Sequence, residues 1–164
     1  MKKIYIVGNL NDHYNTDDMS DPNYRREDSI GFLTHVAGNQ FVLGLVRSFN
    51  EQGYELTHDM WLVLNVLWDE DGLSQQTIAD RLYKDKSSLT RLLHTMEQKA
   101  YLERVAGAVD KRRKRIHLTG AGKALQKPLR RCALDLLRQA SKDIGVREWV
   151  SCLETLKKIT DNLT

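Results

Sequence analysis

Apolar residues recur at helical spacing through most of the chain. The first stripe, Ile30, Leu33, Val36, Ala37, Phe41, Leu45, Val46 and Phe49, predicts a long helix over residues 29–52. Gly53 follows it, and glycine readily takes the left-handed conformation that closes many helices. Thr57 is placed to cap a second helix that buries Met60, Trp61, Val63, Leu64 and Leu67, before Asp71 and Gly72 break the pattern. Ser74 caps a short third helix with Ile78, Ala79 and Leu82 inward. Leu89, Leu92, Leu93 and Met96 form the stripe of a fourth helix over residues 86–99. Tyr101 to Val105 then read as a strand, Gly107 and Asp110 as a turn, and Arg112 to Leu118 as the returning strand. A helix opening at Thr119 or Gly120 carries Leu125, Leu129, Ala133, Leu136, Leu137 and Ala140. Pro128 lies inside it, and its missing N–H predicts a kink or break over residues 124–127. Residues 147–163 form a last helix with Val150, Leu153, Leu156, Ile159 and Leu163 on one side. The fold class is mostly α with one small β-hairpin.

The residues off these stripes carry the chemistry. On the fourth helix they are Ser87, Ser88, Thr90, Arg91 and His94, and short hydroxyls beside an arginine suit phosphates and base edges in a major groove. Gln75 and Gln76 occupy the first turn of the third helix, where backbone N–H groups and side-chain amides can hold a phosphate oxygen. The third and fourth helices, joined at residues 83–86, read as a helix-turn-helix. The hairpin tip and return carry Lys111, Arg112, Arg113, Lys114 and Arg115, and arginines on such a finger favour a narrow minor groove. A solvated basic loop is the bland reading of that run. Net charge over the 164 residues is +3, yet within residues 84–115 ten cations against four acidic residues give +6. The remainder is acidic, which points to a polyanion bound at one place.

These pieces resemble the MarR family of winged helix-turn-helix regulators. The resemblance rests on LSQQTIADRL (residues 73–82), DKSSLTRLLHTMEQKAYLER (residues 85–104), and Asp110, Lys111 and Arg112 followed by Leu118, Thr119 and Gly122. It covers residues 29–163, with a winged helix-turn-helix lobe over 55–119 and dimerisation helices over 29–52 and 120–163. Where the family has a glycine after the recognition helix, this chain has Ala100, and a positive φ there would cost of order 1 kcal/mol. The resemblance implies a homodimer on a pseudo-palindromic operator in double-stranded DNA, and a repressor released by a small-molecule effector, often an aromatic or lipophilic acid. Ser87, Ser88, Thr90 and Arg91 are then expected in the major groove, and Arg112 and Arg113 in the minor groove. Asp110 is expected to hold the wing arginine, and Lys86, Gln75 and Gln76 to grip phosphates. Surplus apolar stripes on the first and last helices fit a two-fold dimer.

His35, Tyr54 and Trp61, with Trp68, are candidates for lining an effector pocket, although such residues are more often simply core. His13, His35, His58, His94 and His117 show no metal-ligand spacing, and neither G-x-S-x-G nor a Walker loop occurs, so no metal, cofactor or enzymatic activity is expected. No stretch approaches the roughly 18 apolar residues of a membrane span, and Cys132 and Cys152 suit buried, reduced thiols in a cytoplasmic protein. Residues 1–28 stand outside the resemblance. They contain the strand-like KKIYIV and a polar segment around Pro22, and read either as an arm packing on the dimer or as the product of a misplaced start at Met19. A thiol-based redox switch and an effector-free architectural or interaction module remain as alternatives.

Overall fold

A computed structural model describes residues 29–106 and 114–164. The chain divides into two units, residues 1–39 and 40–164, and the described part of the first is the N-terminal portion of one helix. That helix, α1 (Ile30–Glu51), starts where the Ser29 hydroxyl accepts the Phe32 amide at 3.2 Å. It ends as the glycine predicts: Gly53 has φ +79°, and the Tyr54 amide bonds back to the Phe49 carbonyl at 2.9 Å. Of its apolar stripe, Leu45 and Phe49 are buried, while Ile30, Leu33, Val36 and Phe41 are exposed.

Helix α2 (His58–Asp69) is capped by Thr57, whose hydroxyl accepts the Met60 amide. It sends Met60, Val63, Leu64 and Leu67 into the core. Next come α3 (Gln75–Arg81), α4 (Lys86–Gln98), and the strands β2 (Leu102–Ala106) and β3 (Lys114–Leu118). The predicted first strand of the hairpin is thus displaced by one residue. The sequence reading had no counterpart for β1 (Leu73–Ser74), two residues that pair with β3 and complete an antiparallel sheet of order β1-β3-β2. Leu73 faces Ile116 across one ladder, and Leu102 faces Leu118 across the other. These four side chains are all buried and fasten the sheet to α2, α3 and α4.

The break expected near Pro128 is present. Helix α5 (Gly120–Ala124) and helix α6 (Gln126–Ala140) meet at Leu125, because Pro128 has no N–H to offer the Ala124 carbonyl. Leu125, Leu129 and Cys132 then join the core cluster. The last helix, α7 (Val146–Leu163), has no buried residue. Cys152 on it is exposed, so the expectation of two buried thiols holds for Cys132 alone. No residue of α7 is buried, so Cys152 has no core to join there.

Candidate nucleic-acid interface

The residues nominated for the major groove share one helix, and its sequence explains how they are displayed. Leu89, Leu93 and Met96 are fully buried, and Leu92 packs at the edge of the same cluster. The 3.6-residue period therefore leaves Lys86, Ser87, Thr90, Arg91 and His94 exposed, with Ser88 half-buried. Asp85 caps the helix: its carboxylate accepts the Ser88 amide at 2.8 Å and the Ser87 hydroxyl at 2.6 Å. Those bonds, Ser87 first and Ser88 next, hold the carboxyl far below its ordinary range. By sequence alone Asp85 belongs only to the turn at residues 83–86. Its signal is a short acidic residue just before a helix.

Ser74 caps α3, its hydroxyl accepting the Thr77 amide at 3.1 Å. The amide of Gln75 reaches across to α4, where Nε2 donates to Thr90 Oγ1 at 2.5 Å. Gln76 instead donates to Asp80 Oδ1 along its own helix at 2.7 Å. Both expected phosphate ligands thus have protein partners, and Gln75 also couples the two helices of the motif. Between those helices Tyr83 has φ 51°, and Lys84 pairs with Asp59 at 2.9 Å.

The cationic segment is less uniformly available than its charge implies. Lys84 pairs with Asp59, Lys99 with Glu55 and Arg104 with Glu97, while Arg115 donates to the Gly72 carbonyl. Lys86, Arg91 and Lys114 have no acidic partner among the described residues. Asp110, Arg112 and Arg113, with the turn at Gly107, lie outside the described residues, as do residues 1–28.

The hairpin is tied to the helix-turn-helix at its base. Ala100 takes φ 57°, the positive value that a glycine would more readily adopt, and closes α4 with the Tyr101 amide bonded to the Met96 carbonyl at 3.0 Å. Thr119 then caps α5, its hydroxyl accepting the Gly122 amide at 3.1 Å and donating to the Ala100 carbonyl at 2.5 Å. By its local sequence Asp71 only breaks the helical pattern, but its Oδ1 accepts the amides of Gly72 at 3.0 Å and Leu118 at 2.9 Å. Partial burial alone would raise its pKa. The Leu118 and Gly72 amides, with His117 and Lys123, outweigh that and hold it below the ordinary carboxylate value. The contact spans 47 positions, so no local pattern betrays it.

The three effector candidates have different immediate partners. Trp61 makes a tilted contact with Phe49 and an edge-to-face contact with Trp68, with ring centroids 5.5 and 5.6 Å away. Tyr54 lines a groove of about 600 Å³ with Gln52, Lys127, Arg131, Cys132 and Asp135. His35 is exposed and hydrogen-bonds Asn39 at 2.9 Å on the same helix. Among the described residues no cluster of three or more His, Cys, Asp or Glu side chains is placed to hold a metal ion. No helix among them is long and apolar enough to cross a membrane.

Known proteins agree with this geometry. The MarR family model matches residues 54–113, which hold the helix-turn-helix and the start of the hairpin. The HTH-type transcriptional regulator TtmR of Methylorubrum extorquens is 41% identical over 73 residues, 44% of this chain and 37% of TtmR. The HTH-type transcriptional regulator SarZ of Staphylococcus saprophyticus is 27% identical over 82% of this chain and 90% of its own length. Among solved structures, the S. aureus MepR–DNA complex superposes with a TM-score of 0.74 at 21% identity, covering 85% of this chain and 100% of MepR. PcaV from Streptomyces coelicolor, crystallised with its natural ligand, gives a TM-score of 0.74 at 20% identity over 86% of this chain and 98% of PcaV. With its capped α3–α4 pair, its small three-stranded sheet and these relatives, the chain is similar in sequence and fold to the MarR family of winged helix-turn-helix transcriptional regulators.

Proposed function

We propose that the protein is a sequence-specific DNA-binding repressor that acts in the cytoplasm as a homodimer and is released by a small-molecule effector. The observation that carries this reading is the outer face of α4. A helix anchored by Leu89, Leu93 and Met96 presents Lys86, Ser87, Thr90 and Arg91 outward, beside a hairpin whose returning strand opens with Lys114. Hydroxyls and an arginine read base edges, the lysines neutralise phosphates, and Arg112 and Arg113 enter the adjacent minor groove with Asp110 steadying the wing. That MepR was crystallised with DNA supports the partner.

Exposed apolar side chains support the dimer. Val150, Leu153 and Leu156 of α7 and Leu134 and Leu137 of α6 are left uncovered by their own protomer. A two-fold pairing buries such faces and holds two recognition helices about 34 Å apart, one helical turn of DNA. PcaV's natural ligand supports an effector. The groove beside Tyr54, with Lys127 and Arg131 on its wall and Cys132 and Pro128 on its apolar side, suits an aromatic or lipophilic acid.

Selection of bound duplexes from random DNA at fixed salt tests the reading. The expected product is a pseudo-palindrome with half-site centres about 10 base pairs apart and A·T-rich flanks. Recovery of no enriched sequence would refute it.

A further inference from the structure

We infer that Asp71 is a positioning residue for DNA binding, its carboxylate fixing the angle at which the hairpin leaves the helix-turn-helix. The inference rests on the DNA-binding reading above. Asp71 lies between α2 and β1, and three segments meet on its two oxygens. Oδ1 accepts the Gly72 amide at 3.0 Å, on the segment that runs into Ser74 and so into α3. The same atom accepts the Leu118 amide at 2.9 Å, at the last residue of the returning strand. Oδ2 lies 3.7 Å from His117 Nδ1 on that strand and 3.6 Å from Lys123 Nζ on α5.

The need for a side chain here follows from the length of β1. Its ladder reaches only Leu73 opposite Ile116 and Ser74 opposite Arg115, with the Gly72 amide adding one bond to the Ile116 carbonyl at 3.1 Å. The Leu118 amide is two residues further along the same edge, and the Asp71 carboxylate stands where the next strand carbonyl would be. A charged acceptor makes the stronger hydrogen bond, and His117 and Lys123 offset its charge. The packing leaves little slack, since a Cβ on Gly72, at φ +74°, would lie 2.6 Å from the His117 ring.

Geometry sets the leverage. Lys114 is four residues along an extended strand from Leu118, about 13 Å, so a 10° pivot at the base moves it roughly 2 Å. That displacement exceeds what a phosphate or groove contact tolerates. Asp71 acts through the hairpin rather than by touching DNA itself.

The test uses the full chain and the duplex selected by the wild-type protein, with hydroxyl-radical footprinting, titration and thermal unfolding. Asp71→Ala is expected to bind roughly tenfold more weakly, losing protection of the flanks while keeping protection of the half-site cores. Asp71→Asn, which keeps an oxygen for the Leu118 amide, is expected to restore flank protection. Flank protection and affinity unchanged in Asp71→Ala, core and flank lost together, or no recovery in a folded Asp71→Asn would each overturn the inference. Should Asp71→Ala fail to fold, Asp71→Glu decides. Its charge is kept and its oxygens are displaced by one methylene, so flank protection is expected to fall with the cores intact, and an unchanged footprint overturns the inference. A wild-type protein that selects no duplex defeats the DNA-binding reading itself, an outcome distinct from variants that match a binding wild type.

Discussion

The indole Nε1 of Trp68 donates to the carbonyl oxygen of Gly122 at 3.0 Å, joining α2 to the first turn of α5 across 54 positions of sequence. The approach requires glycine. A Cβ at residue 122 would stand 2.0 Å from the Tyr101 carbonyl oxygen, a backbone atom that cannot swing aside. Gly122→Ala is therefore expected to force α5 off the sheet and to destabilise the protein by about 1–3 kcal/mol. Chemical denaturation against wild type checks this, with a decrease in Trp68 burial by fluorescence quenching as the local readout.

Ala100 sits at φ 57°, where an L side chain is strained and glycine is not. Ala100→Gly is expected to raise stability by about 0.5–1 kcal/mol, the relief exceeding the added chain entropy of the unfolded state. An upward shift in denaturation midpoint at constant slope is the measurement. A downward shift would show that the site carries no strain.

Asp85 gives a pH dependence of defined sign. Its folded-state pKa is held below the ordinary carboxylate value of 3.8 by Ser87 and Ser88. The stabilisation is therefore fully present above that value and is lost as pH falls through it toward the folded-state pKa. Asp85→Asn should flatten the acid limb of a stability-against-pH curve below about pH 4, with less difference at high salt because the group is exposed. Parallel acid limbs for the two proteins would contradict this.

Arg91 and Arg112 should separate by the kind of signal they lose. Arg91→Ala on the outer face of α4 is expected to relax base preference at one or two positions, costing about 1–3 kcal/mol of discrimination. Arg112→Ala is expected to weaken operator binding and, if Arg112 meets a phosphate, to lower the salt slope by about one. Competition titrations at several salt concentrations distinguish the two. Unchanged affinity and slope would remove Arg112 from the interface.

Leu153 and Val150 on α7 are 45% and 46% exposed in the single protomer. If they face a second copy, Leu153→Asp buries an unpaired charge there and should turn the dimer into a monomer in sedimentation velocity. Persistence of the dimer would place the interface elsewhere.

Much of this arrangement is legible in the sequence because it is governed by short-range rules. The stripe Leu89, Leu93 and Met96 determines which face of α4 is free, Thr57 and Ser74 mark helix starts, and Pro128 breaks the long helix one turn earlier. What was not legible is long-range or too short to have a period. The two residues of β1 make no pattern, and they exist as a strand only because β3 returns beside them. Asp71 looks like any loop carboxylate until Leu118 arrives 47 residues later. Gln75 looks like a free amide until α4 brings Thr90 within reach. The exposed half of the α1 stripe shows the converse: Ile30, Leu33, Val36 and Phe41 have the spacing of a buried face without being buried in one chain.

Helix α7 is 18 residues long, and none of its side chains is buried in its own protomer. Isolated helices are marginal in water below about 12–15 residues, and α7 is only a little longer, so if a second copy covers its apolar side its persistence should depend on protein concentration. On that reading, dilution below the dissociation constant should melt the C-terminus before the helix-turn-helix lobe, and amide exchange at residues 146–163 would then report how many subunits are paired.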